Sequence, residues 1–449
     1  MLGTIYVNKV QSWQAFFRSG GDDEGGALED IENSLLAIKT LRRLIITGFD
    51  FPAREKDVQE FWSLSRNLFG DMLPYVMEEG SPLASPVRKL VEKHVMQLAK
   101  FHLNMAISHP AGFVHLPNSI DLVRSYWGLI SRLGESWGSK SVDDAKIGTD
   151  GDQEDDAPIL ERIGLKGLLL VRACVKMVFF PMQTFRYRHQ QEKDERTQAI
   201  EMVKGQLLID DLVREMVSTL VTRFFVFRPS DLRMWEEEPD EWEKMEEGAE
   251  DWEFAVRPCT EKLFLDLTKY YKDLILQPLL QVFHTVATPD NEDILFKDSV
   301  YTAIGLAADV LLDHLDFDSF ITNTLVQEAQ KQKPGYNIIR RRIAIVLSQW
   351  IAIKIAKEKK PIVYQIFQHL MDKSDPLNDI VVRITAGRRF HAVADEWEFA
   401  AENFLPYAPG ILDRLMALVQ EAELQETKMA LLNTISIIVE RLEHNVGIL

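Results

Sequence analysis

Between Leu370 and Ala386 the chain reads Leu370-Met371-Asp372-Lys373-Ser374-Asp375-Pro376, then Val381-Val382-Arg383, then Ala386. An apolar helix runs into Asp372. Asp375-Pro376 turns the chain, and a second helix opens with Val-Arg near its start. A helix pair of this size cannot bury its apolar face alone. It must stack on a neighbour of the same kind, so one unit predicts a row of them. A row of helix pairs offers an extended surface rather than a single cleft, which points to recognition before chemistry.

The rest of the chain fits this demand. Apolar residues recur at helical spacing, and strand-like alternation is scarce. The spacing predicts helices at 28–48, 56–77, 84–107, 118–135, 158–180, 196–227, 259–286, 293–313, 317–332, 336–356, 361–373, 379–393, 406–421 and 425–443. These form about seven pairs with the layout of HEAT-type repeats. The fold class expected is all-α, an α-α superhelix, with 1–449 as one continuous HEAT-repeat solenoid segment. A terminal repeat needs a polar outer face. The last helix, through Leu432 to Leu442, keeps an apolar one, so the chain is expected to be a piece of a longer solenoid.

Three segments break the pattern. Residues 20–26 (GGDDEGG) read as a loop. Residues 138–156 hold seven acids and no aromatic residue, and are expected to be disordered. Residues 228–258 differ. Eleven acids lie between Glu236 and Glu253 with only Lys244 opposing them, yet Trp235, Trp242, Trp252 and Phe254 are interleaved. This segment is expected to be an acidic loop pinned to the body by its aromatic rings.

Charge and motif content narrow the function. A net charge of −18 disfavours direct nucleic-acid binding and suits a basic partner, or simply solubility. Cys174 and Cys259 are too few for a disulfide scaffold or a cysteine zinc site. The apolar run 167–182 is interrupted by Arg172 and Lys176, so no membrane span is expected. The 20–26 glycines lack the Lys-Ser/Thr of a phosphate loop. His94, His102, His109 and His115 lack the i,i+4 pairing of a helical zinc site and read as surface or interface histidines. Asp313, Asp316 and Asp318 lack the remainder of a calcium loop and read as a solvated turn between helices. No catalytic constellation stands out, so no enzyme activity, metal or cofactor is expected. Arg340-Arg341-Arg342 reads either as a ladder pairing with acids of the adjacent repeat or as a partner contact. Arg383 reads as structural.

Several motifs resemble one family. Met234-Trp235-Glu236-Glu237 with Pro239, and Arg257-Pro258-Cys259-Thr260-Glu261, are similar to the acidic-loop region of the importin-eleven type of karyopherin β. The resemblance continues through Lys297-Asp298-Ser299-Val300-Tyr301, Gly305-Leu306-Ala307-Ala308, Arg340-Arg341-Arg342, Gln349-Trp350, Val381-Val382-Arg383, Glu398-Phe399, Phe404-Leu405-Pro406-Tyr407 and Thr427-Lys428-Met429. It is dense from about Phe225 to Met429.

The resemblance implies a nuclear import receptor. Such receptors bind protein cargo with basic localisation segments, are regulated by Ran-GTP, and touch Phe-Gly nucleoporins. They shuttle between cytoplasm and nucleus through the nuclear pore. Family members run to roughly twice this length with their main Ran site in N-terminal repeats, which implies a middle fragment here. Partner-binding candidates are Trp235, Glu236, Glu237, Glu238, Asp240, Glu241, Trp242, Arg340, Arg341 and Arg342. The alternatives are a HEAT-repeat scaffold subunit of another complex, a nuclear export receptor, or an all-helical enzyme using the Asp313 cluster.

Overall fold

Val87, Val91, Val95 and Leu98 recur along one side of the Ser85–Ser108 helix, and all four are buried. The same spacing builds the rest of the chain. The computed structural model describes residues 2–19, 24–77, 85–137, 157–180, 190–247 and 252–442. Among these the fold is all-α, with no strand. The chain forms two compact units. The first is built mainly from residues up to Val213, with 253–259; the second from Arg214–Trp252 and from Thr260 onward.

In the first unit three antiparallel pairs follow one another: Leu2–Ser19 with Glu24–Gly48, Lys56–Met77 with Ser85–Ser108, and Ser119–Ser136 with Ile159–Phe179. The second helix of each pair packs beside the second helix of the next. Aromatic rings fill the space between the layers. The Trp62 ring meets Phe101, His102 and Phe113 at centroid distances of 5.8, 5.2 and 5.5 Å.

Two histidines expected at the surface lie fully buried instead. His94 Nε2 is 2.8 Å from the Tyr6 hydroxyl, and Ser34 accepts from the Trp13 indole at 3.2 Å beside it. His102 lies between the Ser65 and Tyr126 hydroxyls, at 3.3 and 3.0 Å. Hydroxyl partners satisfy both rings without charge. Loss of hydration then pulls both imidazoles down to about 3, so they stay neutral.

The second unit repeats the plan four times. Its pairs are Lys272–Val286 with Ile294–Leu306, 317–330 with Tyr336–Lys354, Lys360–Leu370 with Ile380–Ala394, and Ala408–Glu421 with Gln425–Leu442. The element that opened the sequence reading behaves as a turn. Asp372 accepts from the Ser374 N–H at 3.0 Å, and Asp379 caps the following helix through the Val382 N–H at 2.9 Å. Gly387 permits close helix contact: a Cβ there would lie 2.6 Å from Leu431 Cδ2.

Charges inside this unit are paired from repeat to repeat. Arg340 reaches Asp375 at 2.9 Å, and Arg383 reaches Glu421 at 2.8 Å. Arg342 forks onto Asp298 at 2.7 and 3.3 Å. Lys297 meets Glu328 at 2.6 Å with both side chains wholly buried, and Tyr301 donates to the same carboxylate. Lys360 bonds both oxygens of Glu396.

Some expectations are corrected. The long helix predicted at 196–227 is Gln190–Gln206 and Asp210–Thr219, followed by a wide turn of π-helix at Leu220–Phe224. The chain bends at Leu207 and Leu208 to bury both side chains, which apolar spacing alone does not mark. The predicted 259–286 helix is split at Tyr271 into Val256–Tyr270 and Lys272–Val286. The Leu2–Ser19 helix was not predicted. Of the 20–26 loop, residues 24–26 are helical, and 20–23 lie outside the described residues. The 138–156 segment also lies outside them. Asp313 and Asp316 do lie exposed in the turn between helices, where Asp316 also caps the following short helix through the Ser319 N–H at 3.1 Å. Among the described residues no helix is long and apolar enough to cross a membrane, and no group of His, Cys, Asp and Glu could hold a metal ion.

Candidate functional site: an acidic helical hairpin

The acidic segment expected as a loop is a pair of short helices, Pro229–Glu237 and Pro239–Glu247. Each proline stands at the start of its helix, where a missing N–H costs nothing. Asp231 accepts from the Arg228 backbone N–H at 2.8 Å, while Asp240 and Glu241 occupy the first turn of the second helix. Acids favour that end of the dipole. Glu238, non-helical at φ −134° and ψ 63°, joins the two.

One face of the hairpin is internal. Trp235 and Trp242 are buried, with ring centroids 4.6 Å apart and Phe227 5.5 Å from Trp242. The Trp235 indole donates to Asp379 at 2.9 Å, and Asn337 donates to the same oxygen at 2.9 Å. Asp379 thereby caps one helix and anchors another element. The Arg341 guanidinium lies 4.6 Å from the Trp242 centroid and 5.9 Å from that of Trp235, a cation–π seat. Glu246 approaches Arg341 at 3.9 Å. Glu243, fully buried, holds Arg388 at 2.7 Å.

Asp240 also turns inward, at 7 % exposure. One of its oxygens accepts from the Glu423 and Leu424 backbone N–H groups at 2.5 and 3.1 Å, next to the start of the Gln425–Leu442 helix. This is a capping contact supplied from about 180 residues away in sequence.

The other face is solvent-exposed. It carries Glu236, Glu237, Glu238 and Glu241 with Met245 among them. Lys244 opposes them in sequence but pairs with Glu426 at 2.8 Å.

The candidate residues therefore separate. Trp235, Trp242 and Asp240 join the hairpin to the helix layer beneath it. Arg340, Arg341 and Arg342 are buried and paired within the unit, Arg340 and Arg342 with acids of adjacent repeats, which is the ladder alternative rather than the partner contact. Only Glu236, Glu237, Glu238 and Glu241 of the ten face outward. Phe254, expected as an anchor, is exposed, and Trp252 is half-buried. The sequence reading missed Glu243, Arg388, Asn337 and Asp379. Glu243 follows Asp240 by three residues, so the two share one side of the second helix.

No protein-family model matches the chain. The chain is 28 % identical to human Importin-11 over 427 residues, covering 93 % of this chain and 40 % of that protein. It is 26 % identical to the importin beta-like protein Kap120 of Saccharomyces cerevisiae over 442 residues, 97 % of this chain and 40 % of the relative. The chain thus spans about two fifths of the length of the curated relatives it matches. Among solved structures it resembles that of Lph2, described as a bidirectional nuclear transport receptor of S. cerevisiae. The TM-score is 0.79 at 24 % identity, covering 98 % of this chain and 41 % of the other. That likeness shows the fold, a HEAT-repeat solenoid.

Proposed function

We propose that this chain, a homologue of importin-11-type karyopherins along nearly its whole length, is a segment of a nuclear transport receptor that binds protein cargo through basic segments. The reading includes regulation by Ran-GTP, contact with Phe-Gly nucleoporins at the pore, and shuttling between cytoplasm and nucleus. It also treats the two units as parts of one solenoid. It is a binding role, not an enzymatic one.

The observation that carries the reading is the run of sequence similarity to importins over 93 % and 97 % of the chain, joined to the shared fold. The hairpin supplies a place for a basic partner. Its exposed Glu236, Glu237, Glu238 and Glu241 outnumber the exposed Arg233 and Lys244 and leave a net negative field on a fixed support. Such a field raises the encounter rate with a cationic segment and favours it over neutral competitors.

The test is binding of a basic peptide, and of Ran loaded with GTP, to the full receptor and to a variant with those four glutamates changed to Gln. Peptide affinity falls severalfold in the variant at low salt. The difference shrinks at 1 M salt, where screening acts over about 3 Å. A second reading is favoured by Asp240, Trp235 and Glu243, which brace repeats: the hairpin is structural only. In that case the four substitutions leave both affinities unchanged at every salt concentration.

A further inference from the structure

The tetrapeptide Asp-Glu-Trp-Glu occurs twice in the second unit, at 240–243 and at 395–398. The two copies have opposite fates. Trp242 is 3 % exposed, whereas Trp397 is 93 % exposed. In the first copy the motif is occupied. The Arg341 guanidinium lies over the Trp242 ring, and the carboxylate of the next residue, Glu243, holds the Arg388 guanidinium at 2.7 Å. In this copy the ring and the carboxylate beside it each hold an arginine, Arg341 on the indole and Arg388 on the carboxylate.

The second copy is built as firmly but left open. Lys360 fixes Glu396 at 2.6 and 2.8 Å, with both side chains buried. Glu396 in turn accepts from the Glu398 N–H at 3.1 Å. Arg441 holds the Asp395 carbonyl and carboxylate at 2.9 and 3.1 Å. The Phe399 ring packs 5.4 Å from Phe404 and 6.4 Å from Tyr364. The indole therefore projects from a pinned turn, not from a slack one. Beside it Glu398 keeps 55 % of its side-chain surface and makes only long ion pairs, to Lys357 at 3.9 Å and Lys360 at 4.0 Å.

We propose that Trp397 and Glu398 form a docking site for an arginine side chain of a partner protein. The guanidinium stacks on the indole face while its edge donates to the Glu398 carboxylate. Arginine suits this pairing better than lysine, because its plane can stack and fork at once. The site is separate from the hairpin's outer glutamates and does not depend on the transport reading.

The experiment uses the full chain and three peptides of equal length: acetylated Gly-Arg, Gly-Lys and Gly-Phe repeats. Nine tryptophans emit, so the signal of the Trp397 ring is isolated as the difference in acrylamide quenching between wild type and Trp397→Phe. The arginine peptide shields this ring, and the lysine peptide does so at clearly higher concentration. Trp397→Ala weakens binding of the arginine peptide about two- to fivefold, the scale of an exposed cation–π contact. Glu398→Gln weakens it in the same direction. The variant with the four hairpin glutamates changed to Gln retains the shielding, which separates this site from the hairpin. Three results overturn the proposal: no shielding by the arginine peptide, equal shielding by arginine and lysine peptides, or shielding by the phenylalanine peptide alone. The last would make Trp397 an anchor for an apolar partner.

Discussion

The two units solve one packing problem with different chemistry. Both stack antiparallel helix pairs, and both must bury polar side chains between the stacks. In the first unit the wholly buried polar groups are neutral: Tyr6 with His94, Ser34 with Trp13, and Ser65 with His102 and Tyr126. The second uses ions: Lys297 with Glu328, Arg342 with Asp298, Lys360 with Glu396, and Arg340 with Asp375. A neutral network loses little Coulomb energy when one member is cut. A buried ion pair cannot be halved without leaving a charge in a medium that solvates it poorly. The same fold therefore carries two different sensitivities.

The sharpest way to break this contrast is Lys297→Met. It strands Glu328 with only Tyr301 to bond it, and a loss of about 3–5 kcal/mol from the second unit is expected. Denaturant titration read by amide exchange in that unit measures it. Adding Glu328→Gln removes the stranded charge, keeps an acceptor for Tyr301, and recovers much of the loss. A single substitution costing under about 1 kcal/mol would show that the ion pairs matter no more than the neutral bonds.

Acid sharpens the contrast next. His94 and His102 titrate near 3 when folded and near 6.5 when free, through burial. The unfolded chain then binds more protons between these values. Their contribution is complete above about pH 6.5 and is lost as pH falls toward 3. Up to about 3 kcal/mol per histidine is at stake at pH 4. Asp375 behaves differently. Burial raises its pKa, but hydrogen bonds from Arg340, the Leu377 N–H and Gln332 outweigh burial and hold it at about 2. Its contribution persists until pH drops below about 4 and is lost toward 2. Amide exchange, corrected for its intrinsic pH dependence, should loosen in the first unit well before the second. His94→Gln with His102→Gln flattens the first profile.

The smallest effect belongs to the surface. Arg441→Ala removes an exposed pair with Asp395, and thermal unfolding should change by no more than about 0.5 kcal/mol.

Sequence reading reached the helix pairs because stacking demands apolar faces at 3.6-residue spacing, and 11 or more residues of that spacing are hard to imitate. It fared worse where a polar residue turns inward. His94 and His102 lie on the same side of their helix as the buried Val91, Val95 and Leu98, which was a usable sign. Asp240 and Arg341 gave no such sign. Each is buried because of a group far away in sequence, a pair of free N–H groups near residue 424 and an indole at 242. The acidic segment was read as a loop because its composition masked its punctuation. Pro229 and Pro239, each with acids in the first turn after it, mark two helix starts.

The hairpin also sets an order of assembly during synthesis. Contacts within a helix pair join residues made close together, so each pair can pack soon after it leaves the ribosome. The hairpin also waits on partners far along the chain. Its seats are Asn337, Arg341, Asp379, Arg388 and the Glu423–Leu424 backbone, the last made 183 residues after Asp240. At 5–20 residues per second that is a wait of roughly 10–40 s. For most of it the two tryptophans have only Phe227 and each other for cover. The dense negative charge around them keeps nascent chains apart until Arg341 and Asp379 are in place against the indoles.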